Sequence, residues 1–218
     1  MENKFKEILF SIYIFLFSLV TSVIAVINTT SIYKFCITKY SIESASGVKR
    51  EVLINEYTKI IRYLRNPFIK ELNFENFPMS YEGKYHFFEV KNIIFTIEIL
   101  FCIFLITGII LFILYKRKKF KFPIKSLSYM FNFVIVGFFS LLVSFYFDFS
   151  YVFNKFHEIL FNNDYWIFDE RKDPIIKALP EEFFMVCGVI CILIVIIISI
   201  ISKLIYLYYK NKIEIKMD

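Results

Sequence analysis

Two histidines and one tryptophan in 218 residues, with five glycines and four cysteines, leave few ways to assemble the commoner active sites. No phosphate-cradling glycine loop is present, which argues against nucleotide chemistry of the P-loop or dinucleotide kind. His157 and Glu158 open what looks like the zinc-protease pattern H-E-x-x-H, but Phe161 stands where the second histidine belongs. Cys102, Cys187 and Cys191 fall within apolar runs, and "CGVIC" has three intervening residues instead of the two of a redox pair, so packing is their expected role. The bulky residues of "YKFC" make Cys36 a poor lipid-attachment site. No internal repeat or low-complexity tail appears.

What the chain has in abundance is apolar surface: 58% hydrophobic residues, 29 of them phenylalanine. That exceeds what a soluble domain of this length needs. Four runs, Ile8 to Ile27, Ile93 to Tyr115, Leu127 to Phe147 and Phe183 to Ser202, are each long enough to cross a hydrocarbon layer about 30 Å thick. Lipid offers no water to exposed backbone groups, so each run is expected to be helical. The first follows "MENKFKE" like a signal peptide, but it is too long for a normal signal core and no small-x-small site follows promptly, so it is read as a retained helix.

Charge sets the expected orientation. "KRKKFKFPIK", between the second and third runs, holds six basic residues and no acid. Lys4, Lys6, Lys210, Lys212 and Lys216 add to that side, which is therefore cytoplasmic. Segments 28–92 and 148–182 then lie outside, the second of them acidic. The formal charge of +6 thus reflects topology and not affinity for nucleic acid. The expected organisation is a cytoplasmic tail and first helix (1–27), an extracellular cap (28–92), two helices joined by a basic loop (93–147), an extracellular loop completing the site (148–182), and a last helix and tail (183–218).

Within the cap, "REVLINEYTKIIRYLRNP" places Leu53, Tyr57, Ile60, Ile61 and Leu64 at helical spacing, with Glu56, Lys59, Arg62 and Arg65 on the opposite face and Pro67 at the end. "YHFFEV" alternates in part and is expected to be a short strand or extended segment feeding the second helix. The expected fold class is an α-helical polytopic membrane protein, four transmembrane helices carrying a small mixed α/β extracellular cap.

His86 lies six residues before the second membrane run and His157 ten after the third, so both imidazoles are expected near the same lipid boundary. Imidazole suits reversible proton transfer at ordinary pH, and a carboxylate can steady it. Glu89 and Glu158 are the nearest acids in sequence; Glu158 is adjacent to His157 and so points elsewhere, with Asp164 or Asp169 as substitutes. The competing readings are structural histidines, a zinc site short of ligands, and a serine nucleophile such as Ser80 or Ser150. Glu98 sits about 8 Å down the second helix, where a carboxylate faces a bundle interior or carries a proton. Trp166 is either an interfacial anchor or a pocket wall.

The order of "EYTKIIRYL", "YHFFEVKN", "FNKFHEILFNNDYWIFD" and "DPIIKALPEEFF" between the helices resembles the lipoprotein intramolecular transacylases, small bacterial membrane enzymes with four helices and an extracellular cap. The resemblance spans about residues 8 to 205. It implies a diacylglyceryl-modified lipoprotein as substrate, and transfer of its sn-2 acyl chain to the α-amino group of the N-terminal cysteine, giving the lyso form. His86 and His157 match the family's two catalytic histidines. Tyr85, Glu89, Lys91, Asn154, Glu158, Phe161, Asp164, Trp166 and Asp169 are expected to bind substrate or support the site. Phe87, Phe88, Phe156, Tyr165 and Phe168 would help hold acyl chains and exclude water. No metal or other cofactor is implied, and a monomer in the bacterial cell membrane, acting on its outer face, is expected. The rival functions are a non-catalytic membrane protein whose cap grips a partner, and a lipid ester hydrolase.

Overall fold

The structure, a computed structural model, describes residues 2–214 and the side chains of residues 3–212; Lys216 lies outside the described residues. Four long helices, α1 (Glu2–Ile27), α5 (Tyr81–Lys116), α6 (Lys125–Leu160) and α7 (Glu181–Glu214), contain the four apolar runs. Each is long and apolar enough to cross a membrane. Between them lie α2 (Thr30–Lys39), α3 (Ile42–Ser46), α4 (Arg50–Arg65) and a 3-10 turn, Pro174–Lys177. The chain is a multi-pass membrane protein.

At 36 residues each, α5 and α6 outrun the hydrocarbon thickness, since about 20 residues span 30 Å. The apolar runs expected from the sequence, 93–115 and 127–147, fill only part of each helix, and both helices continue past them, through 81–92 and 148–160. Asp148 marks the change in α6: its backbone is non-helical (φ −157°, ψ 88°), and its Oδ1 accepts the Tyr151 N–H at 2.9 Å, restarting the helix as an N-cap would.

The expected mixed α/β cap is not formed, because the described residues contain no strand. "YHFFEV" is instead the opening of α5. Alternation over so short a run does not oblige a strand, and here no partner strand offers backbone hydrogen bonds, whereas a helix satisfies its own.

The described residues fall into two compact units. One is drawn from Met1–Val23, Ile99–Val143 and Val189–Asp218. Its core holds Met130, Val134 and Val195. Ser11, Ser18 and Ser22 of α1 and Ser199 and Ser202 of α7 are buried, small residues of the kind that let helices approach in lipid. The hydroxyls of Ser11, Ser18, Ser22 and Ser199 each donate to a carbonyl one turn back, which keeps them satisfied. Tyr13 donates to the Phe104 carbonyl at 2.7 Å, and its oxygen lies 2.9 Å from where a Cβ on Gly108 would sit. Ile103, Ile106, Ile109 and Phe112 are exposed, as surfaces that meet lipid are.

The other unit is drawn from Ile24–Glu98 and Ser144–Gly188. Its core packs Tyr33, Cys36, Ile37 and Ile42 against Leu53, Tyr57, Ile60 and Leu64 of α4, then Leu72, Phe77 and Phe87, and finally Ile175, Ala178, Leu179 and Phe183. Tyr33 and Tyr57 stack at 4.2 Å, and the Tyr33 hydroxyl donates to the Ala178 carbonyl at 2.9 Å. Gly47, at φ 70°, closes α3 in the left-handed region, with its N–H on the Glu43 carbonyl.

The α4 face is as expected except at Glu56, which is only 1% exposed. Its Oε1 accepts the N–H groups of Glu75 and Asn76 and the Asn76 side-chain amide, at 3.0, 3.1 and 2.8 Å. Residues 66–80 lack regular structure, so their backbone needs side-chain partners, and Glu56 supplies one.

Candidate active site

Helix α5 presents His86 and the restarted end of α6 presents His157, both within one compact unit. The ring centroids are 5.9 Å apart, inclined by 38°. Phe161 touches both, edge-on to His86 at 4.8 Å and stacked on His157 at 5.7 Å. Phe168 meets His86 at 5.6 Å, and Trp166 stacks on His157 at 4.8 Å. Phe153 and Phe156 also lie against the His157 ring, at 4.2 and 5.6 Å between centroids. The imidazoles therefore sit in an aromatic surround contributed by α5, α6 and the loop that follows α6.

Protonation follows from this burial. His86 is 9% exposed. Loss of hydration, then repulsion from a charged His157, takes it down to about 4 from the ordinary 6.5, so it is neutral at physiological pH. His157 is lowered too, by burial, against the opposing pull of the Phe153 carbonyl and the Glu181 charge. Its Nδ1 lies 2.7 Å from the Phe153 carbonyl oxygen. A carbonyl can only accept, so the proton of the neutral ring is on Nδ1 and the lone pair on Nε2.

A latch fixes α5 relative to the second loop. Asp173, 3% exposed, accepts the Ser80 N–H and the Ser80 hydroxyl, both at 2.7 Å. The Ser80 oxygen accepts in turn from the Gly83 N–H at 3.0 Å, capping α5. Gly83 is buried under that carboxylate: a Cβ there would lie 2.5 Å from Asp173 Oδ1. His86 is three residues further on, so the latch fixes the helix end that carries it.

The other expected residues divide into two groups. Phe161 and Trp166 contact the imidazoles as above. Tyr85 packs on Tyr165 at 5.5 Å, and Glu89 accepts a hydrogen bond from Asn163 at 2.8 Å. Lys91 is committed to the core, with its ammonium 4.3 Å from the Tyr63 ring centroid and hydrogen-bonded to the Ile69 carbonyl. Glu158 pairs with Lys155 at 2.6 Å, as its position beside His157 suggests. Asp169 is held by Arg171 through contacts of 2.8 and 3.0 Å, and hydrogen bonds from that side chain and its backbone N–H lower its carboxyl to about 2. Asn154 and Asp164 are exposed. Phe88 is exposed on the helix surface, whereas Phe87 turns into the core.

Ser80 is bound to Asp173 and Ser150 to Glu181, so the two candidate nucleophiles have carboxylate partners. Among the described residues no group of three or more His, Cys, Asp or Glu side chains converges as metal ligands would. Glu98 is not isolated, since Arg65 Nε lies 3.2 Å from its Oε1. Asn163, Gly83 and Asp173 went unrecognised as site supports in the sequence. Ser80 just before a helical run was the one usable signal, as an N-cap residue.

The sequence profile of the family described as lipoprotein intramolecular transacylase Lit matches residues 8–184. No curated protein sequence matches the chain. Among solved structures it is similar to the in meso structure of the membrane-integral lipoprotein intramolecular transacylase Lit from Bacillus cereus, at 28% identity over 98% of each chain and a TM-score of 0.87. Two further structures of that protein carry a histidine replaced by arginine or by alanine. Each has 28% identity and a TM-score of 0.80; the first covers 99% of this chain and 95% of that one, the second 98% and 96%.

Proposed function

Because this chain belongs to the lipoprotein intramolecular transacylase family, we propose that His86 and His157 together perform its acyl transfer. The reaction moves the sn-2 acyl chain of a diacylglyceryl-modified lipoprotein onto the α-amino group of its N-terminal cysteine. The observation that carries the site assignment is the 5.9 Å approach of the only two imidazoles in the chain, inside one aromatic surround. A histidine is also the residue replaced in two structures of the Bacillus cereus relative.

The His157 tautomer supports one division of the parts between the two rings. His157 Nε2, carrying a lone pair, takes a proton from the attacking amine as its nitrogen bonds to the ester carbonyl carbon. Neutral His86 offers an N–H to the oxygen that becomes negative in the tetrahedral adduct. The bond from carbonyl carbon to glyceryl oxygen then breaks, His157 returns its proton to that oxygen, and an amide and a free glyceryl hydroxyl remain. An amine that begins as ammonium loses one further proton to water. Donor and acceptor are one molecule, so no acyl-enzyme is required, and holding them together supplies part of the roughly 7 to 11 kcal/mol available to well-oriented reactions. Phe161, Phe168 and Trp166 keep water from the ester.

The basic loop between α5 and α6 supports placing this site on the outer face of the membrane, with 28–92 and 148–182 forming the extracellular part, one chain being the working unit. The test is mass spectrometry of a diacylated reporter lipopeptide incubated with the purified protein. Transacylation conserves the reporter's mass and moves one acyl chain to the amino terminus, while hydrolysis loses the acyl mass and a partner-binding protein changes neither. His86→Ala and His157→Ala should each abolish the lyso form while remaining in the membrane; full activity in either one excludes a required pair.

A further inference from the structure

Glu89 lies three residues after His86 on α5, and so on the same face one turn along. Its Oε1 accepts from the Asn163 amide at 2.8 Å, and Asn163 Oδ1 accepts the Tyr165 N–H at 3.0 Å. That second bond fixes which end of the Asn163 amide faces the carboxylate. Asn163 is two residues beyond Phe161, whose ring touches both imidazoles. Glu89 Oε2 is buried and has no hydrogen-bond partner within the protein, and His86 Nδ1 shares that condition.

Lys91, two residues on, is engaged with the Ile69 carbonyl, and Lys155, Arg171 and Lys177 pair with Glu158, Asp169 and Glu170; among the described residues no ion pair to Glu89 is formed. A buried carboxylate oxygen without a counter-ion is costly, and a cationic ligand relieves the cost. The imidazoles do not compete for this role, since burial disfavours the charged form of both.

We propose that Glu89, aligned by Asn163, is the binding site for the α-ammonium of the substrate's N-terminal cysteine and selects lipoproteins whose amino terminus is free. The inference rests on the transacylase reading above. It also favours product release: once the nitrogen is acylated it carries no charge, so the product loses its contact with Glu89.

The test uses the full-length protein in detergent and two ether-linked dialkylglyceryl lipopeptides, which contain no transferable ester, one with a free amino terminus and one N-acetylated. The wild-type protein should bind the free-amine form at least about tenfold more tightly, the ratio expected for one charge-assisted contact. Glu89→Gln should bring that ratio close to one while leaving affinity for the acetylated peptide unchanged, which doubles as a check on folding. Asn163→Ala, which frees Oε1, should reduce the ratio in part and decides the matter where Glu89→Gln binds neither peptide. A wild-type protein indifferent to acetylation, or a Glu89→Gln variant that keeps the preference, overturns the proposal. Failure of the wild-type protein to transfer an acyl chain from an ester-linked reporter would instead remove the transacylase reading.

Discussion

Asp173 reaches back to Ser80 and accepts both its N–H and its hydroxyl at 2.7 Å, tying the loop after α6 to the start of the helix that carries His86. The contact is so close that Gly83 has no room for a side chain. Gly83→Ala should therefore displace the latch, costing about 1 to 3 kcal/mol of stability as overpacking does. It should also lower activity by on the order of a hundredfold, because small misplacements of reacting groups are expensive. Thermal unfolding and reporter turnover of the purified variant measure the two effects; wild-type activity would show that His86 does not depend on this latch.

His86 makes stability depend on pH in a predictable direction. Its pKa is about 4 when folded against 6.5 when exposed, so below 6.5 the unfolded chain takes up a proton that the folded one refuses. Stability is thus full above pH 6.5 and falls as pH drops toward 4, by up to about 3 kcal/mol. Unfolding temperatures in detergent at pH 7.5 and pH 5 should show a larger drop for wild type than for His86→Asn, which lacks the titrating ring. Equal drops would mean that the ring is hydrated and not buried.

Phe161 lies against both imidazoles and is itself 6% exposed. Phe161→Ala should open the site to water, which competes with the amine for the ester. The expected result is a fall in lyso-form product together with appearance of free fatty acid, seen by mass spectrometry of the reporter. Loss of product with no fatty acid would assign Phe161 to positioning alone.

The four membrane helices were legible because lipid imposes one rule, internal hydrogen bonding, on any long apolar run, although that rule did not reveal how far α6 continues past its apolar run. The amphipathic face of α4 was legible for a related reason, its 3.6-residue period. The start of α5 was not: "YHFFEV" has too few residues to separate a period of two from a helix, and its fate was decided by Ser80 and Asp173, a pair 93 residues apart. Glu56 was placed on the outer face by the same periodicity that placed its neighbours correctly. What draws it inward is the unpaired backbone of 75 and 76, and no local pattern announces that need. The histidine pair was legible from composition and distance to the lipid boundary, whereas the partners of Asp169, Glu158 and Lys91 depend on side-chain geometry that spacing does not fix.

Glu56→Ala should destabilise the unit that carries the site. The substitution leaves the backbone N–H groups of Glu75 and Asn76 and the Asn76 amide without their acceptor, a loss of about 1.5 to 3 kcal/mol from charge-assisted bonds. Glu56→Gln keeps one acceptor oxygen and should lose less. Burial raises the Glu56 pKa, but the bonds from Asn76, Glu75 and Lys59 outweigh it and the net shift is downward. Its contribution is therefore present above the unfolded carboxylate pKa and disappears as pH falls through the lower folded one. Thermal unfolding of the three proteins at pH 7 provides the comparison, and equal midpoints would show the cluster to be dispensable.

Arg65 and Glu98 test a different balance, that of a charge pair on a helix whose neighbouring residues are apolar. Arg65 ends α4 and reaches Glu98 on α5 at 3.2 Å, with Asn28 hydrogen-bonded to the same guanidinium. Removing one partner leaves an uncompensated charge, whereas removing both leaves none. Arg65→Ala should accordingly destabilise more than Glu98→Gln, and the double variant should recover part of what Arg65→Ala loses, with a coupling of about 1 kcal/mol or more. A double-mutant cycle on unfolding temperature in detergent measures it. If the two single effects simply add, the pair contributes little, and the contact between Arg65 and Glu98 is not what holds the end of α4 to α5.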